Sequence, residues 1–584
     1  MLYFILSWGL LTCVSFSIGL GILNLFQTKG FKRSGDRFFA AVWLGIVVLA
    51  NVFLAVSIIT PLSPLIAIFT AGSLVALALG FSRVRTETIS ILLQISERWL
   101  FIGITLAIVA AALTSKKVTW FDTGLYHFGA IQWLANYGAV PGVALLNNGF
   151  AFTSSWFALA APFNPDFLGS RVSAVLNGYL LFLSLLHASM GVHYILRKTA
   201  ERYDWFIVIY MLLTLPLFIF TTFLSAILIS PSPDMPVIMV TGIVAWAILV
   251  ISDQQNHDQE NQHQQRKVNP QSQVLKPTFN SQIVPLILGA GAVTFKLNGL
   301  PILGITGLFY GIYHWRNPIK LGLGAGIALL LLSPMAVFGV ITSGCPLYPS
   351  SWMCMAVPWV LSSQQAAQAL ARINDWKSWF GSPPTQANHW LWAFGQWLQM
   401  AHFNKVMLLL AIISIVIAIW ILKNAHTRQN AGESWVVLLS FLGMGFIFSQ
   451  APLIRFGLGY FVLLPTLIGS IFCTRQSLSS RLTKGLSQLA MQLPKGFVLL
   501  ALFIASILFT RVNGIKLHQQ LIVPPELPHA KVALKQINNI HYFSPENSDK
   551  CWGADLPCVP GELEEDVWLH NPTQGIAGGF RRQL

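Results

Sequence analysis

Acid–base and metal chemistry draw on carboxylates, and this chain has few: 21 Asp and Glu among 584 residues, eight of them beyond residue 511. Scarcity makes each of the others informative. Asp122 stands in TWFDTGLYHFGAIQWLANYG, with Tyr126 and His127 about one helical turn later. Phe121, Leu125, Phe128 and Ile131 to Trp133 give this stretch an amphipathic helical pattern suited to the membrane interface. Two readings stand side by side. Asp122 caps a helix that begins near Thr123, or it is a carboxylate at the bilayer surface. In the second case it accepts a proton from a hydroxyl or, with another acid, holds a divalent cation such as Mg or Mn. Asp234, in SPSPDMP (230–236), either caps a stiff proline turn or faces Asp122 across one cavity. Asp166 and Asp375 complete the acids expected on that face of the membrane body.

Two cations are placed to answer these acids. Lys296, in TFKLNGLPIL, breaks an apolar run beside Asn298, Gly299 and Pro301, the pattern of a discontinuous helix lining a cavity; snorkelling to the interface is its plainer use. Arg455, in a short turn of SQAPLIRFGLGYF, carries a planar fork suited to phosphate or carboxylate, and equally serves as an interfacial anchor. Tyr348, in GCPLYPSSWMC, joins Asp234, Lys296 and Arg455 as a substrate-binding candidate. Cys345 and Cys354 share that loop. Cys551 and Cys558, in KCWGADLPCVP, are the better disulfide candidates because a short Pro/Gly spacer separates them.

The elements that must hold these residues are membrane helices. Only 10% of residues are charged and 54% are hydrophobic, with a mean hydropathy of +0.63. A soluble domain carries about 25% charged residues, so a set of soluble domains is excluded. Apolar runs of about 20 residues recur throughout. They predict an all-α polytopic bundle of about 14 spans, near 3–26, 38–60, 65–81, 99–115, 173–196, 205–229, 236–252, 283–295, 299–313, 321–343, 405–422, 434–452, 457–473 and 497–510. The region 283–313 is read as two short spans around Lys296, since a single span would place later basic loops on the wrong side.

The net charge of +15 follows the same map. Lys and Arg crowd into alternate loops beginning with 27–37, which makes those loops cytoplasmic and both termini extracytoplasmic. No basic stripe or arm points to nucleic acid. The expected organisation is N-terminal spans (1–115), a first outer loop (116–172), central spans (173–343) with a disordered cytoplasmic loop (253–282), a Trp-rich outer loop (344–404), C-terminal spans (405–510) and an outer tail (511–584).

The sequence has no P-loop, G-x-S-x-G, H-E-x-x-H or serial-Arg span, which argues against an ATP-driven pump and a voltage-gated channel. FDTGLYH (121–127), the run from Trp133 to Gly142, TSSW (153–156), SPSPDMP, Lys296 to Pro301, CPLYPS (345–350) and RFGLGY (455–460) together resemble a family of bacterial multi-pass membrane proteins. Its layout is similar to that of the GT-C glycosyltransferases, over roughly residues 100–470. The resemblance implies a polyprenyl-phosphate-linked sugar donor, a glycan or lipid acceptor, and Asp122 as base or metal carboxylate. Asp122 follows the fourth span rather than the first, and Thr123 stands where a second acid occurs in some GT-C families. These departures favour the base over the metal role. The expectation is a glycosyltransferase of the bacterial inner membrane; a glycan or lipid flippase and a polysaccharide polymerase or ligase are the alternatives.

Overall fold

The structure, a computed structural model, describes residues 1–165, 168–169, 174–268, 280–374, 376–384, 387–423, 431–475 and 521–583. Asp166, Asp375 and the expected span 497–510 lie outside these residues. Among the described residues ten helices are long and apolar enough to cross a membrane. Helices form where the apolar runs predict them, because a backbone in lipid must satisfy its hydrogen bonds internally.

The first two, α1 (Leu2–Leu25) and α2 (Ser34–Ser57), pack more tightly than side chains normally allow. A Cβ at Gly19 would collide with the Ala41 carbonyl, and one at Gly45 with that of Ser15. Small residues thus let two membrane helices approach backbone to backbone. Next come α3 (Pro64–Gly80), α4 (Ser82–Leu93), which is bent 97° from α3, and α5 (Glu97–Thr114). After a loop holding the short α6 (Phe128–Asn136) and α7 (Ser155–Ala160), the chain re-enters as α8 (Val175–Leu196) and α9 (Arg202–Phe220).

The expected span 205–229 is interrupted: α9 stops at Thr221, whose extended backbone starts α10 (Thr222–Leu228) and whose hydroxyl accepts from the Leu224 N–H. Helix α11 (Asp234–Val268) runs on into the loop expected at 253–282, whose residues 269–279 lie outside those described. Once a buried helix is nucleated, Gln, Glu and Arg propagate it readily. Around Lys296 the chain forms two helices: α12 (Ile283–Phe295) and α13 (Leu300–His314) fold against each other across a break at 296–299. The remainder comprises α14 (Pro318–Ser343), the loop helices α15 (Ser363–Asn374) and α16 (His389–Met400), then α17 (His402–Lys423), α18 (Ala431–Gln450) and α19 (Ile454–Arg475).

The all-α expectation holds for the bundle and fails for the tail. Residues 532–582 form two antiparallel pairs, β1 (Val532–Ile537) with β2 (Ile540–Pro545), and β3 (Val567–Leu569) with β4 (Phe580–Arg582). Asn538 and Asn539 both adopt positive φ, which suits the tight turn of a two-residue hairpin. Both cysteine pairs, Cys345–Cys354 and Cys551–Cys558, are disulfides.

The three non-membrane pieces expected on one face do meet. A second apolar core joins Trp133, Val140 and Phe150 of the first loop, Tyr348 and Leu361 of the second, and Tyr542, Val567 and Phe580 of the tail. Main-chain bonds run from the Phe580 N–H to the Pro141 carbonyl (2.8 Å) and from the Arg582 N–H to the Pro358 carbonyl (3.0 Å). One end of the bundle therefore carries a folded cap. The other end is marked by Arg33.

Candidate functional site

Beneath the cap, four segments far apart in sequence bring four charges together. Asp122 follows α5; Asp234 opens α11 after the Pro231–Pro233 turn; Lys296 sits at the α12–α13 break; Arg455 lies in the first turn of α19. Arg455 Nη1 donates to Asp122 at 2.7 Å and stands 3.8 Å from Asp234. The Lys296 ammonium donates to Asp234. Ser232 donates to the second oxygen of Asp234 at 3.2 Å. The Asp234 side chain is 1% exposed, whereas Lys296 keeps 27%, so an arriving anion meets Lys296 first.

Aromatic rings frame the cations. The Phe456 ring lies 4.3 Å from the Lys296 nitrogen and 4.6 Å from the Arg455 guanidinium carbon, and Trp120 flanks Arg455 at 5.1 Å. Cation–π contact and charge pairing together offset desolvation that neither would cover alone. The 296–299 break is tied to α19: Asn298 donates to the Phe456 carbonyl (3.3 Å) and Tyr460 donates to the Asn298 carbonyl (2.7 Å).

Asp122 is not the N-cap expected as one reading. Its backbone is already helical (φ −60°, ψ −26°) and its side chain makes no capping bond. The carboxylate turns to Arg455 instead. The next five residues, Thr123–His127, form a π-turn before α6, a widening that re-aims side chains and recurs at functional sites. Within it, Thr123 Oγ1 and His127 Nδ1 are buried without a partner. Burial holds the His127 imidazole well below its ordinary pKa, with nearby Lys296 acting in the same direction, so the ring is neutral. Burial, and then the Asp122 charge, push the Tyr126 phenol well above its usual value, so it stays protonated. Both rings are held by packing: Tyr126 lies 4.5 Å from His127, and His127 lies 5.1 Å from Phe157.

Tyr348 is placed differently from the other candidates. It belongs to the core of the cap and meets Phe152 at 5.1 Å, which in turn meets Tyr126 at 6.1 Å, so it stands two rings from the charges. The residues that sequence reading did not select are Trp120, Phe456 and Trp552. The first two adjoin chosen residues in the chain and were legible as cation–π partners. Trp552 was not. Its N–H donates to the Gly124 carbonyl at 3.2 Å, and a Cβ on Gly124 would stand 2.7 Å from Trp552 Cε2. The tail thus clasps the π-turn where only glycine fits.

Asp122 and Asp234 are the acids expected for any divalent cation. Both are already matched by Arg455 and Lys296, and among the described residues no group of three or more His, Cys, Asp or Glu side chains is placed to bind a metal. The quartet does not fit a divalent ion, which would have to displace a cation already bound.

A polytopic helical membrane protein with a charged site beneath a folded cap is the class these features define. The chain belongs to the family described as a domain of unknown function (DUF8201), which matches residues 1–462. That match contains all four charges but not the tail. No curated protein and no solved structure matches the chain.

Proposed function

We propose that this protein is an inverting glycosyltransferase of the GT-C type. It has about 14 spans and both termini outside, in a bacterial inner membrane, and uses a polyprenyl-phosphate-linked sugar to glycosylate a glycan or lipid acceptor. The carrying observation is the convergence of Asp122, Asp234, Lys296 and Arg455 from four segments at the capped end. The donor phosphate docks on Lys296, the most open of the four, and on Arg455. Its oxygens take guanidinium donors now shared with Asp122. The freed Asp122 carboxylate then accepts the proton of the acceptor hydroxyl as that oxygen attacks the anomeric carbon. The sugar–phosphate bond breaks, and polyprenyl phosphate leaves with the bonding pair, its charge met by Arg455 and Lys296. Protonated Tyr126 and neutral His127 orient the acceptor, and Asp234 keeps Lys296 in place.

The test is transfer by the purified chain in lipid vesicles, supplied with a panel of polyprenyl-phosphate sugars and lipid or oligosaccharide acceptors. Asp122→Asn is expected to lower transfer about 10²–10⁴-fold, the usual loss for a general base. Transfer at the parental rate would remove Asp122 from the mechanism. Movement of the lipid-linked sugar across the bilayer without transfer would make the protein a flippase.

A further inference from the structure

At the end opposite the cap, helix α4 joins two membrane helices and runs across them, 97° from α3. A helix at right angles to a span lies along the bilayer surface. At 100° per residue its side chains sort into three faces. Val84 and Ile91 are buried, and Glu87 between them accepts from Asn24 (2.7 Å) and from Arg37, so this face docks on the bundle. Ile89, Leu92 and Leu93 form a second face, 57%, 54% and 81% exposed, suited to acyl chains. Arg83, Ser90 and Gln94 form the third, where Gln94 donates to Ser90 at 3.4 Å. Arg85 falls within the apolar face, between Leu92 and Ile89, where a long stem lets its charge rise to the headgroups.

Two further arginines stand at the same level. Arg98 opens α5 and Arg197 follows α8; both are exposed and both act electrostatically on His193, whose ring meets Trp99 at 5.3 Å. Arg83, Arg85, Arg98 and Arg197 pair with no acid among the described residues. Glu87 is committed to Arg37, which leaves exposed Glu97, beside Arg98, and exposed Glu201, four residues beyond Arg197, as the acids near these four arginines.

We propose that the α4–α5 elbow and the end of α8 form a binding surface for anionic phospholipid. Arg83, Arg85, Arg98 and Arg197 hold the headgroup phosphates, and Ile89, Leu92 and Leu93 lie among the acyl chains. The charge complementarity is one-sided, and the neighbouring apolar face matches the two parts of a lipid. A soluble acidic protein would satisfy only the first.

The experiment uses the full chain in nanodiscs of phosphatidylcholine with or without phosphatidylglycerol, followed by native mass spectrometry of the lipids retained on release. Phosphatidylglycerol should be retained preferentially, and each Arg→Gln change should weaken retention about fivefold, the effect of one basic group at an anionic surface. Arg→Lys changes at the same four positions should keep most of it, which separates loss of charge from loss of fold. Undiminished retention by the fourfold Gln variant would assign these arginines to membrane topology alone. Full competition by inorganic phosphate would equally overturn the lipid assignment.

Discussion

Arg33 and Arg455 are both partly buried arginines between two aspartates, at opposite ends of one bundle, yet they are used differently. Arg33 spends its whole fork: Nε and Nη2 reach Asp36 at 2.7 and 3.0 Å, and Nη1 and Nη2 reach Asp204 at 2.8 and 2.6 Å. The Tyr194 and Tyr203 rings cover it at 3.9 and 4.7 Å. All three nitrogens donate, through four of the five N–H groups, and the result is a rivet between α2 and α9. Arg202 joins Glu433 of α18 to Asp253 of α11 through its two Nη groups, with its Nε buried without a partner. Arg455 donates through Nη1 alone, and its Nε is buried without a partner. A buried donor left over is costly, and a ligand oxygen would relieve it. The lesson is that an arginine with every nitrogen engaged, as at position 33, marks a structural cluster, whereas a spare Nε points to a site only where, as at Arg455, further charges converge with it beneath the cap.

The largest effect expected from this contrast is on activity. Asp122→Asn should remove most transfer, about 10²–10⁴-fold, while Asp204→Asn at the saturated end should leave the turnover of the folded fraction unchanged. Equal loss of turnover in both, measured per folded molecule, would erase the distinction. Next comes stability. Arg33→Ala strands two buried aspartates and should cost about 3–5 kcal/mol in thermal unfolding of the detergent-solubilised protein. Arg455→Ala should cost less, because Asp234 retains Lys296 and Ser232. If the two costs match, Arg455 is a rivet as well.

Arg→Lys sharpens the comparison further. At position 33 it loses a double fork and should cost about 1–3 kcal/mol; at 455 it keeps the one charge-assisted bond and should cost less, while weakening donor binding. The smallest effect concerns pH. His127 is neutral in the folded chain, with its pKa held below the usual 6.5. Below that value the unfolded chain binds a proton that the folded chain refuses, so stability falls as pH drops from about 7 towards 5. The slope approaches ~1.4 kcal/mol per pH unit at most. His127→Gln should flatten it, and an unchanged slope would assign the effect to other groups.

Much of this was legible in the sequence because two signals are strong. A membrane helix advertises itself by an apolar run, and polar residues inside such runs are few. Asp122, Asp234, Lys296 and Arg455 were chosen one by one on that ground, and the structure brings them together. Their pairing was not legible: Asp122 and Arg455 are 333 residues apart, and no local period records such a contact. The cap-or-site ambiguity at Asp122 also needed coordinates, since a π-turn and an α-helix begin with the same side chains. Tyr348 was chosen by its neighbours in a motif and proved to serve the apolar core of the cap. The β-pairs of the tail were missed because strands of three to six residues carry too little alternation to stand out.

The clasp of Trp552 on Gly124 has a consequence in time. A ribosome makes the π-turn early and the residue that grips it very late, after all the described membrane helices. The site therefore cannot reach its final shape while the chain is still being inserted. A chain that lacks the tail would carry the four charges without the clasp that shapes the turn beside them.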